Sequence, residues 1–265
     1  MRIQTIETGF FSTEHAAMFG LYPARARSRY VSAESRNRCD LSMRVVFADL
    51  GGHKVLFDAG VGGIQVPGMS YYRMNRLQSL PAALQALGYR AEDVTDLVFS
   101  HLHFDHCGGA IQRNADGRFS PVFPHATHWV GKGQYEAAKN PSMWEKSAFA
   151  PQVLETLERE AGLRLVEADG PLFPQVRVEL YQGHTTDQLV SWIEPSESEQ
   201  DAHAVVVIPS DVIPMKPHLK PMCISPVDNE AWKAVEEKNR LLKAIKKQHA
   251  TVYFYHDPLE TSVQF

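Results

Sequence analysis

The order of strands and helices read from the sequence fits an α/β fold of two mixed sheets with helices on the outside, a topology that pattern alone does not fix. Three observations carry this reading. Short β-rich apolar runs recur in both halves of the chain, amphipathic helical stretches interrupt them, and 265 residues at 44% hydrophobic content make an ordinary globular chain. At roughly 150 residues per domain the length allows one large domain or two small ones. No repeat and no clean linker divides the chain, so residues 1–265 are read as a single domain.

Residues 43–50 and 53–59 are β-rich and flank Gly51-Gly52, a dipeptide able to supply positive φ for a two-residue hairpin turn. Residues 60–72, rich in glycine and without a period, read as a mobile loop. Ser79 is placed to cap a helix with Pro81 in its first turn, Leu80, Leu84 and Leu87 on one face and Gly88 as its stop. Another helix opens near Pro151 and carries Val153, Leu154 and Leu157. Residues 164–166 and 176–180 read as strands around a Gly/Pro-rich connection. Residues 188–193 and 204–208 read as a second pair around a solvated loop, 195–201. The last helix is expected to run from a cap at Asp228 to about Gln248. Trp232, Val235, Leu242 and Ile245 would form its apolar face, and Glu236, Glu237, Lys243, Lys246 and Lys247 a solvated one.

Composition narrows the partners. With 27 basic and 31 acidic residues the net charge is -4, and no basic run recommends a nucleic acid. No apolar run approaches the roughly 18 residues of a membrane span, and the first residues lack a signal peptide's apolar core. Three irregularly spaced cysteines, Cys39, Cys107 and Cys223, suggest reduced thiols. The expectation is a cytoplasmic protein acting on a small molecule, free of membrane and nucleic acid, with a homodimer left open.

The informative segment follows an apolar run, residues 97–99, and reads Ser100-His101-Leu102-His103-Phe104-Asp105-His106-Cys107-Gly108-Gly109. At a strand end, residues two apart point to the same side, so His101 and His103 can converge on one cation. Asp105 and His106 follow where the chain turns and can address a second. Imidazole with carboxylate suits zinc, and also iron or manganese. Two sites need further donors, and three occur just after apolar runs: His184, Asp211 and His256. Cys107 is expected to point into packing.

This ordered set, H-x-H-x-D-H, then His, then Asp, then His, resembles the metallo-β-lactamase superfamily of hydrolases, and residues 57–60 (Phe-Asp-Ala-Gly) resemble a further family element. The likeness runs from the Gly51-Gly52 hairpin to His256. It implies an α/β, four-layer αββα sandwich. By that likeness His101, His103 and His184 hold one divalent metal ion, Asp105, His106 and His256 hold the other, Asp211 bridges them, and Asp58 orients a ligand. Residues 17–23 and 210–214 resemble the lactonase-like branch, which includes N-acyl-homoserine lactone lactonases. One departure stands out: Pro214 occupies a position where many of those enzymes carry a tyrosine.

The implied chemistry is hydrolysis, with a metal-bridging hydroxide attacking an ester or lactone carbonyl. Asp105 or Asp211 would take up the proton and relay it to the leaving alkoxide. His218 is a candidate donor to substrate or leaving group, and Asp257 a candidate orienter of His256. Met18, Phe19, Tyr22, Tyr71 and Tyr72 are candidates to line an apolar pocket. Two rival readings remain, a phosphotriesterase using the same hydroxide and a non-catalytic zinc-binding or metal-sensing protein. Open coordination positions around seven ligands favour catalysis over a closed structural site.

Overall fold

A computed structural model describes residues 1–23, 25, 28–30, 37–196 and 204–265. Most of the 195–201 loop expected from sequence, and His203, lie outside the described residues. The chain folds into two compact units. One comprises Met1–Gly9, Met43–Met69 and Asn75–Ala168; the other comprises Phe10–Ser42, Ser70–Met74 and Asp169–Phe265.

In chain order the first strands are β1 (Arg2–Glu14), β2 (Arg38–Asp49), β3 (Lys54–Phe57), β4 (Asp96–Val98), β5 (Ile111–Arg113), β6 (Phe119–Pro121), β7 (Thr127–Gly131) and β8 (Gly162–Val166). Six form a sheet in the order β1-β2-β3-β4-β7-β8, while β5 and β6 make a two-stranded ribbon. From β3 to β8 the pairing is parallel. Central parallel strands are covered on both faces, which is why Val55, Leu56, Phe57, Leu97 and Val98 form unbroken apolar runs with almost no exposure. The β2–β3 hairpin pairs Asp49 with Lys54, so its loop holds four residues, not the two expected. Leu50 and His53 close it by a backbone bond, and Asp49 Oδ1 accepts from the Gly51 N–H.

Ser79 caps the helix Leu80–Ala86 as expected, its hydroxyl accepting from the Ala82 N–H, and Gly88 beyond the helix takes positive φ. On β7, His128 is wholly buried and stacked on Phe99 with ring centroids 6.0 Å apart. Burial pushes its pKa down to about 4, so this imidazole is neutral in the folded protein.

The second unit carries β9 (Gly170–Phe173), β10 (Val176–Tyr181), β11 (Gln188–Ile193), β12 (Val206–Ile208), β13 (Thr251–Tyr253) and β14 (Ser262–Gln264). Their order is β14-β13-β12-β11-β10-β9. Residues 164–166 therefore do not pair with 176–180. They belong to β8, which lies beside β7, and the partner of β10 is β9. The β11–β12 pair is antiparallel as expected.

Strands β12 and β13 are parallel, and a parallel pair needs a crossover. The helix Ala231–Lys247 supplies it. Leu241, Leu242 and Ile245 pack with Tyr181, Trp192, Val207, Val252 and Phe254 in one core. One expectation fails here: Trp232 points outward at 64% exposure. Lys238 takes a buried place, its Nζ donating to the Cys223 carbonyl at 2.6 Å. Burial lowers that amine's pKa to about 8. Among the described residues no helix is long and apolar enough to cross a membrane.

Candidate metal centre

The first unit gathers its candidate ligands at the C-terminal end of β4. Phe99 and Ser100 leave the strand, and His101 to His106 wrap into a short turn, with the helix Phe104–Cys107 beginning just past His103. The turn is sewn to the exit of β3. Ala59 N–H donates to the His106 carbonyl (2.7 Å) and Gly109 N–H to the Gly60 carbonyl (2.8 Å). A Cβ on Gly109 would lie 2.0 Å from the Ala59 carbonyl oxygen, so this close approach demands glycine.

Here the imidazoles of His101, His103 and His106 cluster, with ring centroids of His101 4.4 Å from His103 and 4.1 Å from His106. Asp105 Oδ2 lies 3.7 Å from His106 Nε2. Asp58 sits beneath them at positive φ, its carboxylate accepting from the Ser100 N–H (2.7 Å) and hydroxyl (2.8 Å) and from His106 Nδ1 (3.0 Å). Because the Ser100 hydroxyl donates to Asp58, it accepts from His101 Nδ1 at 2.9 Å. Glu145 Oε1 approaches His103 from the other ring nitrogen, Nε2, at 3.4 Å.

The second unit brings together His184, Asp211 and His256. His184 follows β10, Asp211 sits in the turn Ser210–Val212 after β12, and His256 follows β13. Asp211 faces both imidazoles, Oδ1 at 3.2 Å from His256 Nε2 and Oδ2 at 3.5 Å from His184 Nε2. The outer nitrogens are engaged too. His184 Nδ1 donates to Asp228 Oδ1 (2.8 Å) and His256 Nδ1 to the Ser42 carbonyl (2.8 Å).

Carbonyl and carboxylate oxygens only accept, so these partners assign the tautomers. His101, His106, His184 and His256 carry a proton on Nδ1 and His103 on Nε2, which directs the lone pair to the opposite nitrogen. At Asp211 the consequence is electrostatic. Two imidazole lone pairs meet two carboxylate oxygens within 3.5 Å, an arrangement of acceptors that repel until a cation joins them. In each unit, imidazoles whose tautomers are fixed in this way stand beside a carboxylate, and that donor chemistry suits zinc.

Some roles expected from sequence move. Asp257 does not orient His256. Its carboxylate accepts from the Tyr30 hydroxyl and from the backbone N–H groups of Lys216, Leu259 and Glu260, while Ser42 holds the histidine. Asp228 is no helix cap but the partner of His184. Pro214 contributes its carbonyl, which accepts from the His256 N–H at 3.0 Å. His218 is buried, its Nε2 donating to the Met18 carbonyl at 2.8 Å and its ring stacked 5.6 Å from Phe19. Burial drives its pKa down to about 3. Met18 and Phe19 are themselves buried, and Tyr71 is 46% exposed. The Cys107 thiol is buried against the Leu102 carbonyl, and burial pushes its pKa well up. Glu145, Ser42 and Asp228 had no local signal in the sequence, because each is far along the chain from the histidine it serves.

The family model of the metallo-beta-lactamase superfamily matches residues 44–194, more than half of the chain. The chain belongs to the metallo-beta-lactamase superfamily. A curated N-acyl homoserine lactonase from Bacillus sp is 26% identical over 198 residues, covering 74% of this chain and 68% of the relative. Among solved structures, a probable metal-dependent hydrolase from Staphylococcus aureus superposes with a TM-score of 0.89 at 21% identity, covering 99% of this chain and 91% of the other. AidC, a dizinc quorum-quenching lactonase, superposes with a TM-score of 0.76 at 18% identity over 98% of this chain and 88% of its own. The α/β class expected from sequence is thus the metallo-β-lactamase fold, and this member of the superfamily is a metal-dependent hydrolase.

Proposed function

We propose that this superfamily member is a binuclear hydrolase of ester or lactone carbonyls, with N-acyl-homoserine lactones as its substrate class. In this reading residues 1–265 are a single domain, in which His101, His103 and His184 would hold one divalent cation, Asp105, His106 and His256 would hold the other, and Asp211 would be shared. The observation that carries it is the opposition at Asp211, where each carboxylate oxygen faces the lone-pair nitrogen of a different, buried histidine. The likeness to lactonases supports the choice of substrate class.

A pair of zinc ions would supply Lewis acidity toward the carbonyl oxygen and lower the pKa of a water from about 15.7 toward about 7. The chain's own residues do the rest. Asp58, Glu145, Asp228 and Ser42 keep four imidazoles from rotating, so the donor set is preorganised. Asp105 and Asp211 are the carboxylates placed to accept the proton released in hydrolysis and return it to the leaving alkoxide. His218 takes a different part from the one the sequence suggested. A neutral ring with its Nε2 proton committed to Met18 serves as an anchor for residues 18 and 19, not as a proton donor. The proposed setting is a reducing cytoplasm, consistent with three buried free thiols.

The test is a zinc-loaded preparation assayed against lactones, aryl esters and phosphotriesters, with and without chelator. Chelator-sensitive opening of acyl-homoserine lactones ahead of the other classes is expected. Preferential phosphotriester cleavage would replace the substrate class, and inactivity across the panel despite two bound zinc ions would favour a metal-binding role.

A further inference from the structure

Charged residues on the helix Ala231–Lys247 read from sequence as a solvated face, and Glu237 breaks that pattern. It is half-buried, and its carboxylate turns away from solvent onto the loop that carries His184. Glu237 Oε2 accepts from the Gly183 N–H (2.8 Å) and the Gln182 N–H (3.0 Å), and Oε1 lies 3.0 Å from the same Gln182 nitrogen. Successive backbone N–H groups converging on one anion form a nest, which a carboxylate fills better than an amide because both its oxygens accept. Desolvation raises the pKa of this carboxyl, opposed by those N–H groups and by Arg240 and Lys233.

The residues that lead into this helix grip the loop twice more. Asn229 N–H donates to the His184 carbonyl (3.0 Å) and Glu230 N–H to the Gly183 carbonyl (2.9 Å). Gly183 lies so close to the helix that a Cβ would come within 2.4 Å of the Ala234 Cα and 2.6 Å of its nitrogen. The Gly183 and His184 carbonyls and the Gln182 and Gly183 N–H groups are therefore fixed to the helix and the residues leading into it, while Asp228 fixes the ring.

We propose that Glu237 is a positioning residue that sets the backbone of Gln182-Gly183-His184, and through it the placing of the His184 ligand nitrogen. This rests on the reading of His184 as a metal ligand. A carboxylate is required because both its oxygens face the Gln182 N–H while one also answers Gly183; an amide with its oxygen in the Oε2 place would set its NH₂ group against the Gln182 N–H.

The experiment measures zinc affinity of the full-length enzyme by competition with a chromophoric chelator. It compares wild type, Glu237→Gln, Glu236→Gln and His184→Ala, with thermal unfolding of each metal-stripped protein alongside. Glu237→Gln keeps size and fold and is expected to weaken one of two zinc ions about 10-fold or more. Glu236→Gln, one residue along on the exposed face, should match wild type. Loss of one zinc by His184→Ala, with wild-type affinities in Glu237→Gln, overturns this proposal alone, even if metal-stripped stability falls. Retention of both zinc ions by His184→Ala overturns the ligand assignment and this proposal with it.

Discussion

Asp228 Oδ1 lies 2.8 Å from His184 Nδ1, and both side chains are buried. The other carboxylate oxygen accepts from the Ser225 N–H at 3.1 Å, so the aspartate is itself held in place. An asparagine here can turn its NH₂ toward the ring or give up the backbone bond. Asp228→Asn should lower affinity for one metal by about 10–100-fold while the chain stays folded. Titration with zinc against a chelator reads this directly, and wild-type affinity would remove Asp228 from the site.

Asp211 faces two imidazoles with its two oxygens, a geometry that one neutral amide cannot reproduce. Asp211→Asn is expected to cut lactone turnover by about 10²–10⁴-fold. Far-UV circular dichroism should stay at the wild-type level. Activity within a few-fold of wild type would end the proposed role.

Acid should weaken the folded state through His128. Its pKa falls from the ordinary 6.5 to about 4 on folding, so the unfolded chain takes up the proton first as pH drops. The contribution is complete above 6.5, declines as pH falls, and is gone below about 4. It amounts to about 3 kcal/mol. Urea unfolding of metal-stripped protein at pH 7 and pH 4.5 should show a smaller drop for His128→Leu than for wild type. Equal drops would contradict the assignment.

Gly109 carries the ligand turn past Ala59 with no room for a methyl group. Gly109→Ala must push the turn away from the β3 exit, and a cost of about 1–3 kcal/mol or more is expected. Thermal unfolding measures it. A parallel loss of zinc binding is expected because His106 and Gly109 share the same stitching to residues 59 and 60. Gly52→Ala, in the same open turn with nothing near the place its methyl group would take and no left-handed backbone, serves as the contrasting substitution.

The seven candidate donors stood out in the sequence because the histidine motif, His184, Asp211 and His256 each follow an apolar run, and a dense histidine motif is improbable without a cation to justify it. The capped helix at Ser79 and the β11–β12 pair were legible for the same local reason. What sequence could not supply was everything decided by distant partners. Asp228 has the look of a helix cap, Asp257 stands beside His256 yet serves Tyr30 and Lys216, and Glu237 belongs to a charged set whose other members, Glu236, Lys243, Lys246 and Lys247, do face solvent. Strand β1 was missed because its polar residues blur the alternation of a half-buried strand. The strand at 164–166 was paired with the wrong neighbour, since chain proximity outweighed a parallel pairing that leaves no hairpin signal.

Asp58 holds a left-handed backbone, φ 63°, that asparagine or glycine would adopt with less strain. The strain is outweighed by what the carboxylate does there: buried, it answers the Ser100 N–H and hydroxyl and His106 Nδ1 at once, and each donor left without it would cost about 1–3 kcal/mol. Durability and the setting of the histidine turn thus rest on the same codon, and laboratory lineages raised for either one should keep it.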